Sequence, residues 1–95
     1  MMKREKLMEK LIANTKDGFF NEGENFCSSY KGSIWTGEGT YSLDGEWEVF
    51  NYFSEDYAEK NYVMGVYKPF RKIVEDAGWM IECHDPGTYF IFPNE

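Results

Sequence analysis

Leu7, Met8, Leu11 and Ile12 recur at spacings of three and four residues, while Lys3, Arg4, Lys6, Glu9 and Lys10 fill the positions between them. This periodicity predicts an amphipathic helix that stops near Asn14, ahead of Asp17-Gly18. Lys3 and Arg4 fall in its first turn, where cations oppose the helix dipole, so that end is expected to fray. The pattern then changes. Phe26, Ser28 and Tyr30 alternate with Cys27, Ser29 and Lys31 between glycines, which predicts a short strand near 25–31 and another near 33–36.

From Thr40 to Val49 the run TYSLDGEWEV alternates around Asp44-Gly45, a hairpin signal. A two-residue turn would set Tyr41 opposite Glu48 and Ser42 opposite Trp47, mixing polar and apolar residues on both faces. A three-residue loop, Leu43-Asp44-Gly45, sets Tyr41 opposite Trp47, Ser42 opposite Glu46 and Thr40 opposite Glu48. One face is then aromatic and the other carries carboxylates, and the three-residue loop is preferred on that ground. The strand runs on through Phe50-Asn51-Tyr52-Phe53 as a central strand or an exposed aromatic edge. Ser54-Glu55-Asp56 offers a helix N-cap with acids behind it, and 57–60 a single helical turn.

A second helix is clearer. Pro69 suits a first turn, Phe70, Ile73, Val74 and Ala77 mark one face, and Gly78 is placed to cap the end. The chain closes on a hairpin, 79–84 and 88–92 around Asp85-Pro86-Gly87. Proline at the first loop position does not suit a primed two-residue turn, which favours a loop of three or four residues. Those two loops place His84 on opposite faces. Two helices and four to six strands, joined by hairpins in place of βαβ units, predict one α+β domain over residues 1–95: a twisted antiparallel sheet with both helices on one face.

Composition narrows the class. The 95 residues include 18 aromatics (8 Phe, 7 Tyr, 3 Trp) and only 3 Pro, and no window approaches the ~20 apolar residues of a membrane span, as expected for a soluble globular domain. Residues 1–16 lack a continuous apolar segment and a small-residue cleavage site, so no signal peptide is expected. The cytoplasm is the default compartment, with Cys27 and Cys83 as free thiols; a bridge between them is the alternative.

Charge is unevenly spread. Residues 1–16 carry five bases and two acids, residues 17–66 two bases and ten acids, and residues 67–95 three bases and five acids, for a net −7. An acidic centre repels phosphate backbones and anionic lipid, so neither direct nucleic-acid nor membrane binding is expected.

Candidate chemistry is sparse. Cys27, or Ser28 or Ser29, would need His84 within hydrogen-bond reach and an acid to orient it; the competing reading makes both cysteines small core residues and His84 a turn-flanking surface group. Metal is not expected: there is no C-x-x-C, Cys83 and His84 are strand neighbours facing opposite ways, and Asp44-Gly-Glu-Trp-Glu offers too few calcium ligands. The run Thr36-Gly-Glu-Gly-Thr-Tyr-Ser superficially resembles a phosphate loop but leads into a strand, so its glycines read as relieving crowding beside aromatic neighbours or allowing a bulge. Glu46 and Glu48 read as a solvated strand face. No cofactor is expected.

A surface argument remains. Glu38, Asp44, Glu46, Glu48, Glu55 and Asp56 are interleaved with Trp47, Phe50, Tyr52 and Tyr57. Alternate strand residues lie ~7 Å apart, a spacing comparable to successive phosphates. Aromatic anchors in an acidic surround suit capture of a basic protein. These ten residues are the candidate interface of a small acidic, non-enzymatic protein-binding module, monomeric or homodimeric. By analogy of size and charge, it is expected to be an inhibitor occupying a basic nucleic-acid-handling surface, of the anti-CRISPR, anti-restriction or nuclease-immunity type. The alternatives are a small enzyme or ligand-binding domain using Cys27 and His84, and an accessory subunit that self-associates through a Phe50–Tyr52 edge.

Overall fold

The computed structural model describes residues 1–43, 47–51 and 61–94. Helix α1 (Arg4–Ala13) buries Leu7 and Leu11 fully, while Ile12 stays 58% exposed. Asn14 closes it through N–H bonds to the Lys10 and Leu11 carbonyls. The expected fraying of its first turn is opposed by contacts from far along the chain. The Met2 N–H donates to the Ala77 carbonyl (2.9 Å), Trp79 Nε1 donates to the Met2 carbonyl (2.7 Å), and Arg4 is ion-paired with Glu22 and Glu24.

The main sheet is antiparallel with strand order β2 (Asn21–Glu22), β3 (Ile34–Gly37), β8 (Thr88–Pro93), β7 (Trp79–Asp85). Ile34 pairs with Ile91 and Ile91 with Ile81, so one cross-strand row is aliphatic. Alternation sends the next row, Trp35, Phe90 and Glu82, to the opposite face. α1 and α2 (Lys68–Asp76) cover the aliphatic face, where Leu7, Leu11, Phe70 and Val74 join Ile34, Ile81, Tyr89 and Ile91 in the core. In α2, Pro69 lies in the first turn and Gly78, at φ +86, follows the C-cap Ala77. The α+β class and the placement of both helices on one face agree with the sequence.

Smaller ribbons complete the structure. β1 (Thr15–Lys16) pairs with β4 (Tyr41–Ser42), and β5 (Tyr62–Val63) with β6 (Val66–Tyr67). The β5–β6 turn places Met64 and Gly65 both at positive φ, the backbone of a primed hairpin turn. Met64-Gly65 is not an ordinary turn signal, because methionine rarely adopts that conformation.

Three local expectations are corrected. Residues 25–31 form no strand: Gly23–Asn25 and Ser28–Tyr30 are two short 3-10 turns. In the Asp44-Gly45 hairpin, Tyr41 bridges Glu48, the Ser42 N–H donates to the Trp47 carbonyl and the Val49 N–H to the Thr40 carbonyl. This pairing opposes Tyr41 to Glu48 and not to Trp47; residues 44–46 themselves lie outside the described residues. Thr40 and Val49 are each 1% exposed, so burying this opposed pair overrides the separation of aromatic and carboxylate faces. In the last hairpin Asp85 pairs directly with Thr88, leaving a two-residue turn, Pro86-Gly87, with Gly87 outside the left-handed region. A register irregularity falls between Cys83 and Asp85, and the Gly87 N–H donates to Asp85 Oδ1 (3.0 Å).

Candidate functional site

The face of the sheet away from the helices is aromatic. Phe26 lies edge-on to Trp35, Phe90 and His84 at centroid distances of 5.2, 5.1 and 5.3 Å. Tyr30 stacks on Phe90 at 4.4 Å and Phe19 meets Trp35 at 5.5 Å. Phe90 is buried at the bottom of this cluster, Tyr30, Trp35 and Phe92 are half-buried, and Phe26 and Phe19 are 41% and 36% exposed. The irregularity in β7 settles the facing of His84: its ring joins this cluster, with Nδ1 3.5 Å from the Tyr30 hydroxyl.

The segment bearing Phe26 and Tyr30 is held by charge. The Arg4 guanidinium donates to both carboxylate oxygens of Glu24 (2.8 and 3.2 Å) and to the Ser33 carbonyl (3.3 Å), and also binds Glu22. Hydrogen bonds from Arg4, from the backbone N–H of Glu24 itself and from Gly32 hold the Glu24 carboxyl down at about 2, and Glu24 in turn raises Arg4. Gly23 is buried against Ser33 and the Tyr30 carbonyl, where a Cβ would collide with both.

The residues of the possible nucleophilic set fall around the cluster. Cys27 is exposed, and its Sγ lies 3.1 Å from Ser29 Oγ; that contact, followed by the Ser29 backbone N–H, lowers its thiol below the usual value. Among the described residues no hydrogen bond joins Cys27 to His84, and the Asp85 carboxylate is engaged by the Gly87 N–H. The reading of the cysteines as core residues is corrected: both are free and exposed, and Cys83 Sγ donates to the Asp85 carbonyl (3.2 Å). No group of three or more His, Cys, Asp and Glu suited to a metal occurs among the described residues.

The ten residues of the acidic-aromatic stretch divide. Asp44, Glu46, Tyr52, Glu55, Asp56 and Tyr57 lie outside the described residues. Glu38 and Glu48 are exposed. Trp47 is half-buried, stacked on Tyr67 at 5.9 Å and edge-on to Tyr62 at 6.3 Å. Phe50 is a core side chain at 3% exposure, stacked on Tyr89 (4.4 Å) and edge-on to Phe70 (5.4 Å). It offers neither an exposed anchor nor an exposed edge for self-pairing. In the resembling phosphate loop, Thr36 Oγ1 donates to the Phe19 carbonyl and Gly37 packs on the backbone of Gly87, so the glycine relieves crowding, against main chain and not an aromatic ring.

No family model matches this chain, and no curated protein or solved structure matches it. Among the described residues no helix is long and apolar enough to cross a membrane.

The aromatic face was missed from sequence because its parts are scattered. Phe19, Phe26 and Tyr30 come from the first third of the chain, and His84, Phe90 and Phe92 from its last hairpin. The one available signal was the crowding of Phe19, Phe20, Phe26, Tyr30 and Trp35 among glycines, too many rings for a segment with so little regular structure.

Proposed function

We propose that this chain is a small acidic, non-enzymatic protein-binding module that docks through the aromatic face of its sheet onto a partner with a basic surface. The observation that carries this reading is the pair of exposed rings, Phe26 and Phe19, seated on a layer of half-buried aromatics and fixed by the strands beneath. Rigid aromatics with a buried base are the side chains that dominate binding hot spots. The net charge of −7 favours a cationic partner, and Glu82, exposed and in the same cross-strand row as Trp35 and Phe90, adds charge to that face.

The partner class follows from charge and size: a cytoplasmic nuclease or other nucleic-acid-handling protein whose basic surface the module occupies, as phage anti-CRISPR or anti-restriction inhibitors and nuclease immunity proteins do. Proteins captured from host lysate at low salt would be identified by mass spectrometry, purified, and titrated with the wild type and with Phe26→Ala. Affinity is expected to fall with salt and with the substitution. Equal binding by Phe26→Ala removes the aromatic face from the reading, and salt-independent binding removes the basic partner.

A further inference from the structure

The main sheet ends on one side at β7, and among the described residues no strand pairs with its outer edge. The ladder fixes which groups lie there. The Asn94 N–H donates to the Gly78 carbonyl, so the backbone groups of Gly78, and by alternation those of Met80 and Glu82, face β8. Ile81 and Cys83 therefore turn their N–H and C=O to the outer edge. No other backbone hydrogen bond among the described residues reaches them there.

That edge opens into a cleft of about 580 Å³, with Ile81, Glu82 and Cys83 on one side and Met64, Val66 and Arg71 on the other. The side chains of Ile81 and Glu82 point to opposite faces of the sheet, so a cavity touching both runs along the edge of the strand and not beneath one face. Met64, in the β5–β6 turn, stands beside it 84% exposed. An unpaired strand seven residues long, without Pro or Lys and next to an apolar wall, is a template for one more strand.

The two faces specify that strand. If it runs antiparallel, like every pair already in the sheet, the residue opposite Ile81 enters the cleft against Met64 and Val66, and its neighbour opposite Glu82 stands on the aromatic side. The first is required to be apolar, because Arg71 already places a cation on the cleft side, 3.8 Å from the Glu75 carboxylate. The second is required to be basic. Glu82 is exposed and in no ion pair among the described residues, and opposite charges directly across a ladder stabilise the pair. A second copy is the wrong occupant, since it brings another −7 and the same acids, Glu82 and Asp85, to the same edge.

We infer that β7 takes up an extended segment of a basic partner protein as a fifth strand of the sheet, with alternate residues apolar towards the cleft and basic towards Glu82. This contact is separate from the docking of Phe26 and does not rest on it.

The test uses the ¹⁵N-labelled full chain and the peptide acetyl-Lys-Val-Lys-Val-Lys-amide. In the free chain the amides of Met80 and Glu82 are expected to exchange slowly with solvent, and those of Ile81 and Cys83 quickly. With peptide at roughly ten times its Kd, exchange at Ile81 and Cys83 should slow about tenfold, as the population with an open edge falls in that ratio. Methylating the two valine nitrogens, which face β7 in the added strand, should abolish the effect; methylating the central lysine nitrogen should not. Glu82→Gln should weaken binding about two- to fivefold, the loss of one cross-strand charge pair. Unchanged exchange at Ile81 and Cys83, or binding that survives valine methylation, overturns the added strand. Equal affinity for acetyl-Glu-Val-Glu-Val-Glu-amide overturns the basic partner, as does slowing at these amides with chain concentration alone, which would assign the edge to a second copy.

Discussion

Gly37 lies against the carbonyl of Gly87 so tightly that a Cβ at position 37 would come within 2.1 Å of that oxygen. The same carbonyl accepts the Glu38 N–H at 3.1 Å. This contact docks the last turn of the chain onto the end of β3. Gly37→Ala must therefore push two backbones apart, at an expected cost of about 1–3 kcal/mol. Urea denaturation should show a lowered midpoint with an unchanged slope; a midpoint equal to wild type would mean the turn can move away freely.

Stability should respond to acid through Glu24. Its folded carboxyl sits at about 2, below the ~4.3 of an unfolded glutamate. The ionised form is thus favoured in the fold, and its contribution is complete above about pH 4.3 and lost as pH falls towards 2. Thermal midpoints measured between these limits should drop for the wild type. Glu24→Gln should start lower and change less across the same window, because it has no carboxylate to protonate.

Phe26 and Phe90 touch each other but should behave differently when truncated. Phe90 is 2% exposed and Phe26 41%. Phe90→Ala is expected to cost about 3–5 kcal/mol, the loss from a buried ring. Phe26→Ala should cost about 1–2 kcal/mol, chiefly its edge contacts. Chemical denaturation separates the two, and a Phe26 variant as unstable as the Phe90 variant would make it a core residue instead of a docking ring.

Cys27 should be alkylated readily near neutral pH, since its thiol is lowered by Ser29 and is exposed. Ser29→Ala should slow iodoacetamide labelling at Cys27, read by peptide mass spectrometry as a function of pH. The rate profile should shift to higher pH. An unchanged profile would show that the hydroxyl does not stabilise the thiolate.

The sequence carried the helices and lost the register of the strands, for identifiable reasons. α2 was legible because its determinants are local: Pro69 at the start, an apolar face at Phe70, Val74 and Ala77, and Gly78 past the end. The 3-10 turns at 23–30 were not. Their alternation imitates a strand, while what folds them includes Arg4, some 20 residues upstream. The Asp44-Gly45 hairpin was recognised, but its register depends on Thr40 and Val49 both entering the core and on Trp47 finding Tyr62 and Tyr67 in place of Tyr41. Of the candidate interface, Phe50 belongs to the core, and Phe26 finds Phe90 and His84 only when the two ends of the chain meet.

Arg4 has a further consequence. It belongs to the helix layer, yet its guanidinium grips the segment that carries Phe26 and Tyr30 on the other side of the sheet. One side chain thus acts as a tether round the β2 edge between the helix layer and the aromatic face. A disturbance confined to the start of α1 would reach the aromatic face by that route, with the strands between them undisturbed.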